Sequence, residues 1–173
     1  GLPYIGHNPL NATILDNKHA FKRELREAGL PTAAFYTWDM ARGPLIPTIN
    51  TRFRAAFGSF RGPFIVKPIS GRASIHVHYV PNIIDLPDIV AEVGRAAQNV
   101  VLIEKYLPGR EYVAAVSGPV VVRQRQPFRR KTPFAFSVCE RVLFDGEWIM
   151  TSMDKMPITR SRIRAIDRRA EAG

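Results

Sequence analysis

The chain has little cysteine and no long apolar run, and each absence narrows the class of protein. Its single cysteine, Cys139, cannot form a disulfide within the chain, which fits a reducing compartment. No run of about 18 apolar residues is present, and residues 1–6 lack the basic and apolar regions of a secretory signal. The missing Met at position 1 leads us to expect that Gly1 is not a native start. These features predict a soluble, cytoplasmic protein with no membrane partner.

What the chain has in excess is positive charge. Of its 173 residues, 46% are hydrophobic, which is enough for a buried core, and 25 Lys and Arg against 15 Asp and Glu give a net charge of +10. Such a charge fits nucleic acid, an anionic membrane surface or a phosphate ligand. Many basic residues lie late, at 123–131 and 160–169. A solvated basic face and an anion-binding surface are both consistent with that distribution.

The first two thirds of the chain alternate between helix and strand signals. A helix capped by Asp16 or Asn17 is predicted from apolar residues at spacing i, i+4 and i+7, namely Phe21, Leu25 and Ala28. Further elements are predicted from hydrophobic periodicity, in chain order a loop with a short helix (37–62), a strand (64–66), a strand (75–80), a helix (85–98) and a strand (100–103).

The last third of the chain is predicted to form hairpins followed by a helix. Residues 111–117 and 120–123 are predicted to pair about Gly118-Pro119, and residues 134–144 to pair with 147–150 through Asp145-Gly146. A basic helix is predicted after Thr159, and Cys139 is predicted to be a buried structural thiol.

Lys67 ends a short apolar strand and precedes Pro68, so its ammonium group would project where the chain bends away. A lysine in that place suits a phosphate group. For an isolated Val-Lys-Pro triplet, a solvent-facing lysine is the simpler alternative.

A second polar group follows the apolar strand that begins at Val101 (VLIEKYLPGRE, 101–111). Glu104 and Lys105 are successive residues of a strand and therefore point to opposite faces. An adenine amino group needs an acceptor such as a carboxylate, and Glu111 could accept two hydrogen bonds from a ribose diol. A polar hairpin between two strands is the alternative.

These motifs together resemble the ATP-grasp superfamily, and within it the D-alanine:D-alanine ligases. The resemblance covers residues 1 to about 117 and includes the segments GLPYIG (1–6), DNK (16–18) and AGLP (28–31). It implies an ATP or ADP cofactor, with Lys18 and Lys67 on the phosphates and Ser74 in the phosphate loop. It also implies that adenine is lined by a further set, Glu104, Lys105 and Leu107, with Glu111 on the ribose.

The implied fold is α+β, with two small subdomains whose largely antiparallel sheets enclose a nucleotide cleft. The expected division is a lead-in segment (1–17), a central nucleotide-binding subdomain (18–111) and a partial C-terminal subdomain (112–173). The family's N-terminal domain and its final Arg-x-Asp and Glu-x-Asn strands are expected to be absent. Magnesium is expected for the family, but we expect its ligands to be missing from this chain.

The phosphate loop departs from the family pattern, because Arg72, Ala73 and His76 stand where small residues are usual. His76 and His78 would share one face of a strand and could chelate a metal. No Cys or carboxylate completes such a site at a suitable spacing, so polar residues on a solvent face are the simpler interpretation and we assign no metal ligand.

Three functions follow from these residues. The first is a carboxylate-amine ligase that acts through an acylphosphate on small-molecule carboxylate and amine substrates, as the resemblance implies; no catalytic residue is assigned. The second is a non-catalytic nucleotide-binding module. The third is a nucleic-acid-binding protein, for which charge and the interleaving of Phe128, Phe134 and Phe136 with basic residues are the only support. A homodimer is left open.

Overall fold

The computed structural model of the chain describes residues 9–97, 100–118, 120–123, 126–129, 131–150 and 162–166. Predictions for residues 1–8 and 151–161, and for most of the basic C-terminal helix, lie outside the described residues. The described residues form two compact units, which divide between Leu107 and Pro108. No helix within these ranges is both long and apolar enough to cross a membrane.

The first unit combines helices with a four-stranded antiparallel sheet. Its helices are α1 (Pro9–Asp16), α2 (Lys18–Glu27), a 3₁₀ helix (Met40–Arg42), α3 (Thr51–Phe57) and α4 (Leu86–Ala97). Its strands are β1 (Phe35–Trp38), β2 (Phe64–Pro68), β3 (His78–Val80) and β4 (Val101–Lys105). The strand order is β1-β4-β2-β3, so β1 and β3 lie at the edges. The α+β class that the sequence predicts is confirmed.

Helix α2 begins where its capping residue predicts. The side chain of Asn17 accepts a hydrogen bond from the backbone N–H of Ala20 at 3.0 Å, which satisfies a donor that the first turn leaves free. Asn17, rather than Asp16, is therefore the cap. The predicted inward face is only partly correct, because Phe21 is 38% exposed while Leu25 is half-buried.

The sheet has two unlike faces, since successive side chains of a strand point to opposite sides. Helices α3 and α4 cover one face. The core there is built of aromatic and aliphatic side chains, with Phe53, Phe57, Phe64, Val66, Leu86, Val90, Val93 and Ile103 among its members. The alternate residues of the two central strands point the other way, and they include Lys67 and Glu104.

Two predictions in this unit are wrong. Strand β1 lies where no strand is predicted from the sequence. It pairs with β4, with Phe35 opposite Glu104. The strand predicted over 75–80 is real only from His78 onward. Residues 73–76 form a turn in which His76 has φ +56°, so His76 and His78 do not share a strand face.

The described part of the second unit consists of short strands. They are β5 (Glu111–Val113), β6 (Val116–Ser117), β7 (Val120–Arg123), β8 (Gln126–Arg129), β9 (Phe134–Ala135), β10 (Cys139–Arg141) and β11 (Ile163–Ala165). They form a three-stranded sheet in the order β11-β10-β5 and two pairs, β6 with β9 and β7 with β8, all antiparallel.

Long-range pairing overturns both predicted hairpins. Strand β5 pairs with β10, and β7 pairs with β8 rather than with the segment before Gly118. Asp145-Gly146 does form a turn, with Gly146 at φ +84°, but residues 147–150 add no strand to it. Residues 163–165, predicted as helix, are strand β11. Cys139 is half-buried rather than buried.

Gly62, before β2, is required by both its backbone conformation and its surroundings. Its φ is +124°, and a Cβ at this position would lie 2.5 Å from the carbonyl oxygen of Pro81 and 3.0 Å from the Cα of Asn82. We expect Gly62→Ala to lower the free energy of unfolding by about 2 kcal/mol or more, because strain and overpacking add. Urea denaturation measures this change.

Gly29→Ala is the matched control. Gly29 also has a positive φ, +71°, but a Cβ there would meet no atom within 4 Å. Its substitution should cost only about 1 kcal/mol of left-handed backbone strain. Equal losses for the two variants would show that the close approach at Gly62 adds nothing.

Candidate functional site

Glu104 is the centre of a cluster of charged side chains in the first unit. It lies on β4, across from Ile65 of β2, and Lys67 projects from the same face of the sheet. Lys67 Nζ donates to Glu104 Oε1, and Lys22 Nζ, from α2, lies 3.0 Å from Glu104 Oε2. All three side chains are largely buried, with exposures of 12% for Lys22, 21% for Lys67 and 13% for Glu104. Both oxygens of one carboxylate therefore each meet a lysine.

Positive charge exceeds negative charge around Glu104. Burial raises the pKa of Glu104, but the charges of Lys67 and Lys22 outweigh it and hold that pKa below its ordinary value. Burial, followed by the neighbouring charge of Lys67, lowers the pKa of Lys18. Glu104 is thus ionised at neutral pH, and cationic charge remains in excess around it.

Lys18 ties α2 to the loop after β2. Its Nζ donates to the carbonyl oxygen of Gly71 at 2.9 Å, and its backbone N–H donates to the carbonyl oxygen of Ile69 at 2.9 Å. It is the first residue of α2, four residues before Lys22, so the two lysines lie on one side of the helix. The helix start, the loop and the end of β2 are brought together by these bonds.

The loop itself, 69–77, has an unusual backbone. Ala73, Ser74 and His76 have φ values of +58°, +53° and +56°, a region that non-glycine residues seldom adopt. Non-glycine residues held there cost about 1 kcal/mol or more each and cluster at ligand-binding sites. Arg72 Nε lies 3.2 Å from Asp16 Oδ1, although the arginine is mostly exposed.

The other residues predicted for the site lie elsewhere. Lys105 points to the opposite face from Glu104, as predicted, and its Nζ lies 4.8 Å from the centroid of the Phe60 ring. Leu107 is 62% exposed. Glu111 belongs to the second unit, where its Oε1 accepts from Arg141 Nη1 at 2.7 Å. The roles assigned to these three residues, and to the half-buried Ser74, stay predictions.

Lys22 is the member of the cluster that sequence reasoning missed. The signal was present, because Lys22 lies one helical turn after Lys18. Nothing in the sequence, however, shows that α2 packs against the end of β4, which is what brings Lys22 to Glu104.

Metal binding finds no obvious place among the residues that the structure describes. Within them, no group of three or more His, Cys, Asp or Glu side chains is arranged to hold a metal ion. Glu104, the one buried carboxylate of the lysine cluster, is already paired with two lysines. We therefore assign no magnesium ligand among the described residues.

Comparison with known proteins points to one family by sequence. The D-alanine--D-alanine ligase of Desulfovibrio desulfuricans is 33% identical over 118 residues, covering 68% of this chain and 35% of that protein. The enzyme of the same name from Synechococcus sp. (strain JA-3-3Ab) is 30% identical over 122 residues, again covering 35% of its own length. The chain thus spans about a third of the length of the curated relatives it matches. No protein-family model matches it.

Solved structures agree on the fold. The VanG D-Ala:D-Ser ligase from Enterococcus faecalis has a TM-score of 0.66 at 17% identity, covering 98% of this chain and 45% of its own. The D-alanine-D-alanine ligase from Coxiella burnetii has a TM-score of 0.57 at 23% identity, with coverages of 80% and 36%. The chain therefore belongs to the class of ATP-grasp folds. Within that class it is similar in sequence to the D-alanine--D-alanine ligases, over about a third of their length.

Proposed function

We propose that the chain binds ATP or ADP through its lysine cluster and forms the nucleotide-binding part of a carboxylate-amine ligase of the D-alanine:D-alanine type. The observation that carries the proposal is the cluster itself: Lys18, Lys22 and Lys67 around the single carboxylate of Glu104. Similarity to D-alanine--D-alanine ligases supports the reaction class. The single cysteine supports a cytoplasmic location.

The net charge of the cluster favours a polyanionic ligand. Lys18, Lys22, Lys67 and Arg72 against Glu104 and Asp16 leave an excess of two positive charges. Lys22 and Lys67 are largely buried, and charges in such a setting attract anions more strongly than charges in open water do. A nucleotide diphosphate or triphosphate supplies the complementary negative charge. Glu104 keeps Lys22 and Lys67 extended toward the site before a ligand arrives, which lowers the entropy cost of ordering them on binding.

The positions of Lys67 and Lys18 also suit a chain of phosphate groups. Phosphoryl transfer asks a protein mainly to hold the phosphates in place and to offset the charge that spreads over them. Lys67 at the strand end and Lys18 at the helix start are fixed to different elements, which suits contacts with different phosphate oxygens. In the proposed reaction a carboxylate takes the γ-phosphoryl group of ATP to form an acylphosphate, and ADP leaves in that step. An amine then attacks the acyl carbon and displaces inorganic phosphate, and with loss of a proton from nitrogen the amide forms.

A non-catalytic nucleotide-binding module is the second candidate. It is favoured by one observation, that no metal-holding group lies among the described residues while the lysine cluster does. Both candidates predict nucleotide binding by this chain. They differ in turnover, since release of ADP and phosphate from ATP with D-alanine present is expected only of the ligase.

Calorimetry with a series of nucleotides tests the shared prediction. We expect ATP and ADP to bind at least about tenfold more tightly than AMP, because each phosphate that meets a lysine gains a charge-assisted hydrogen bond. We also expect little dependence on magnesium, since lysines rather than a metal offset the charge. Equal affinities for ATP and AMP, or no binding at millimolar ATP, would contradict the proposed site.

A further inference from the structure

An open cationic cavity lies at the outer edge of the first sheet, and none of Lys18, Lys22, Lys67 and Glu104 lines it. Its volume is about 640 Å³, which is within the usual range for small-molecule sites. Residues of α2, edge strand β1, the 3₁₀ helix and α3 line it. Its arginines are Arg23, Arg26, Arg42 and Arg52.

The charge on the cavity lining is unbalanced. Against the four arginines stand two carboxylates, Glu27 and Asp39, so the net charge is +2. Glu27 Oε1 lies 3.2 Å from Arg23 Nη2, and Asp39 Oδ1 accepts from the backbone N–H of Ala41 at 2.9 Å. Both carboxylates are thus already engaged.

Arg42 and Arg52 are the arginines available to a ligand. Both are exposed, and neither has an ion-pair partner among the described residues. Arg42 is the last residue of the 3₁₀ helix and Arg52 is the second residue of α3, so the two guanidinium groups come from different elements. A guanidinium group binds phosphate through two parallel hydrogen bonds, and two such groups suit a single phosphate.

An aromatic side chain forms part of the remaining wall. Tyr36 is half-buried and lines the cavity together with Arg42, Arg52 and Ala56. Phe35 points to the other face of the sheet and is only 7% exposed, and the guanidinium carbon of Arg26 lies 4.1 Å from the centroid of its ring, so that ring is not open to a ligand. The edge position of β1 leaves alternate backbone N–H and C=O groups without a partner in the sheet. Such a lining fits the ring or apolar part of a ligand next to its charged part.

We propose that this cavity binds a small phosphate monoester, with the phosphate on Arg42 and Arg52 and its apolar or ring portion against Tyr36. A phosphate monoester carries between about −1.5 and −2 at pH 7, which matches the net charge of the lining. The inference goes beyond nucleotide binding at the lysine cluster, and it does not depend on that function.

Phenyl phosphate and inorganic phosphate are the probes for this site. We expect phenyl phosphate to bind the chain more tightly than inorganic phosphate, because only the former places a ring against Tyr36. The double variant Arg42→Ala/Arg52→Ala should bind phenyl phosphate at least about tenfold more weakly, since hydrogen bonds between charged groups are lost. Calorimetry gives both comparisons, and circular dichroism confirms that the exposed substitutions leave the fold intact.

Two matched variants locate the binding. Arg54→Ala removes the same charge from the same helix, two residues from Arg52 and outside the cavity lining, and should leave the affinity unchanged. Lys67→Ala should also leave it unchanged. Loss of binding in Lys67→Ala would instead assign phenyl phosphate to the lysine cluster and overturn the proposal.

Other results would overturn it as well. These are the absence of phenyl phosphate binding at millimolar concentration, and equal affinities of the double variant and the unchanged chain. A single-stranded oligonucleotide that displaces phenyl phosphate and binds more tightly as it lengthens would assign the surface to nucleic acid. A cavity of this volume holds one monoester, whereas an extended basic surface gains contacts with length.

Discussion

We expect replacement of Lys67 with Ala to lower the affinity of the chain for ATP about 10- to 100-fold, and calorimetry is the measurement that checks it. The change removes a cationic donor to phosphate, and a hydrogen bond to a charged group contributes about 1.5–3 kcal/mol. It also leaves Glu104 with one lysine partner instead of two, so more of its negative charge acts on the phosphates. Both effects have the same sign. We therefore expect this to be the largest single loss of binding in the site.

Arg95→Ala is the matched control for Lys67→Ala. Arg95 is exposed on α4, the helix that covers the opposite face of the sheet, and its removal lowers the net charge by the same amount. If ATP affinity falls equally in the two variants, overall charge rather than a built site attracts the nucleotide. The double variant Arg42→Ala/Arg52→Ala should keep its ATP affinity, which separates the lysine cluster from the edge cavity.

Glu104→Gln is expected to have the largest effect on stability. The substitution keeps the shape of the side chain but leaves the buried ammonium groups of Lys22 and Lys67 without a counter-charge. Breaking a buried ion pair on one side costs on the order of 3 kcal/mol, which is a large share of the 5–15 kcal/mol typical of a whole domain. Urea denaturation at pH 7, followed by circular dichroism, measures the loss.

The pH dependence of that loss has a definite sign. The folded-state pKa of Glu104 lies below its ordinary value of about 4.3. Its ionised form therefore stabilises the fold above pH 4.3, and that contribution disappears as the pH falls through the folded-state pKa. The difference in unfolding free energy between the unchanged chain and Glu104→Gln should shrink accordingly between neutral and acidic pH.

Glu27→Gln supplies the comparison for Glu104→Gln. Glu27 pairs with Arg23 on α2, but the two side chains are 62% and 64% exposed. An exposed pair of this kind contributes about 0.5 kcal/mol or less. A loss for Glu104→Gln no larger than for Glu27→Gln, or one that stays constant with pH, would show that the Glu104 carboxylate is not held by its lysines.

Three of the four residues of the lysine cluster could be predicted from the sequence, but their geometry could not. Lys18, Lys67 and Glu104 each stand at the end of an element that local signals define: a capped helix, a β-branched strand and an apolar strand. Their convergence depends on β2 pairing with β4 and on α2 packing against their end. Lys22 was not predicted for that reason. Its position on α2 carries no signal of a binding role, and only the fold brings Glu104 beside it.

Errors in the fold have a common cause. Residues 75–77 alternate as a strand does, yet they lie in and directly after the turn at 73–76. Strand propensity is weak at a sheet edge, and the surrounding contacts decide which conformation the chain adopts there. Strands β5, β10 and β11 pair across long stretches of chain, whereas the predicted hairpins use the nearest turn. Asp145-Gly146 bends the chain as its residues favour, but a turn does not choose the partner of a strand.

The sequence by itself determined the elements that rest on local interactions: α2 with a cap at Asp16 or Asn17, α4 with Val90 and Val93 turned inward, and the buried strands β2 and β4. It also determined the family resemblance. Tertiary structure alone decided the role of β1 as an edge strand, the placement of Lys22 and the arginine-lined cavity. Helix caps and hydrophobic periods act over a few residues, while strand pairing and charge clusters join residues far apart in the chain, and only the folded backbone brings those together.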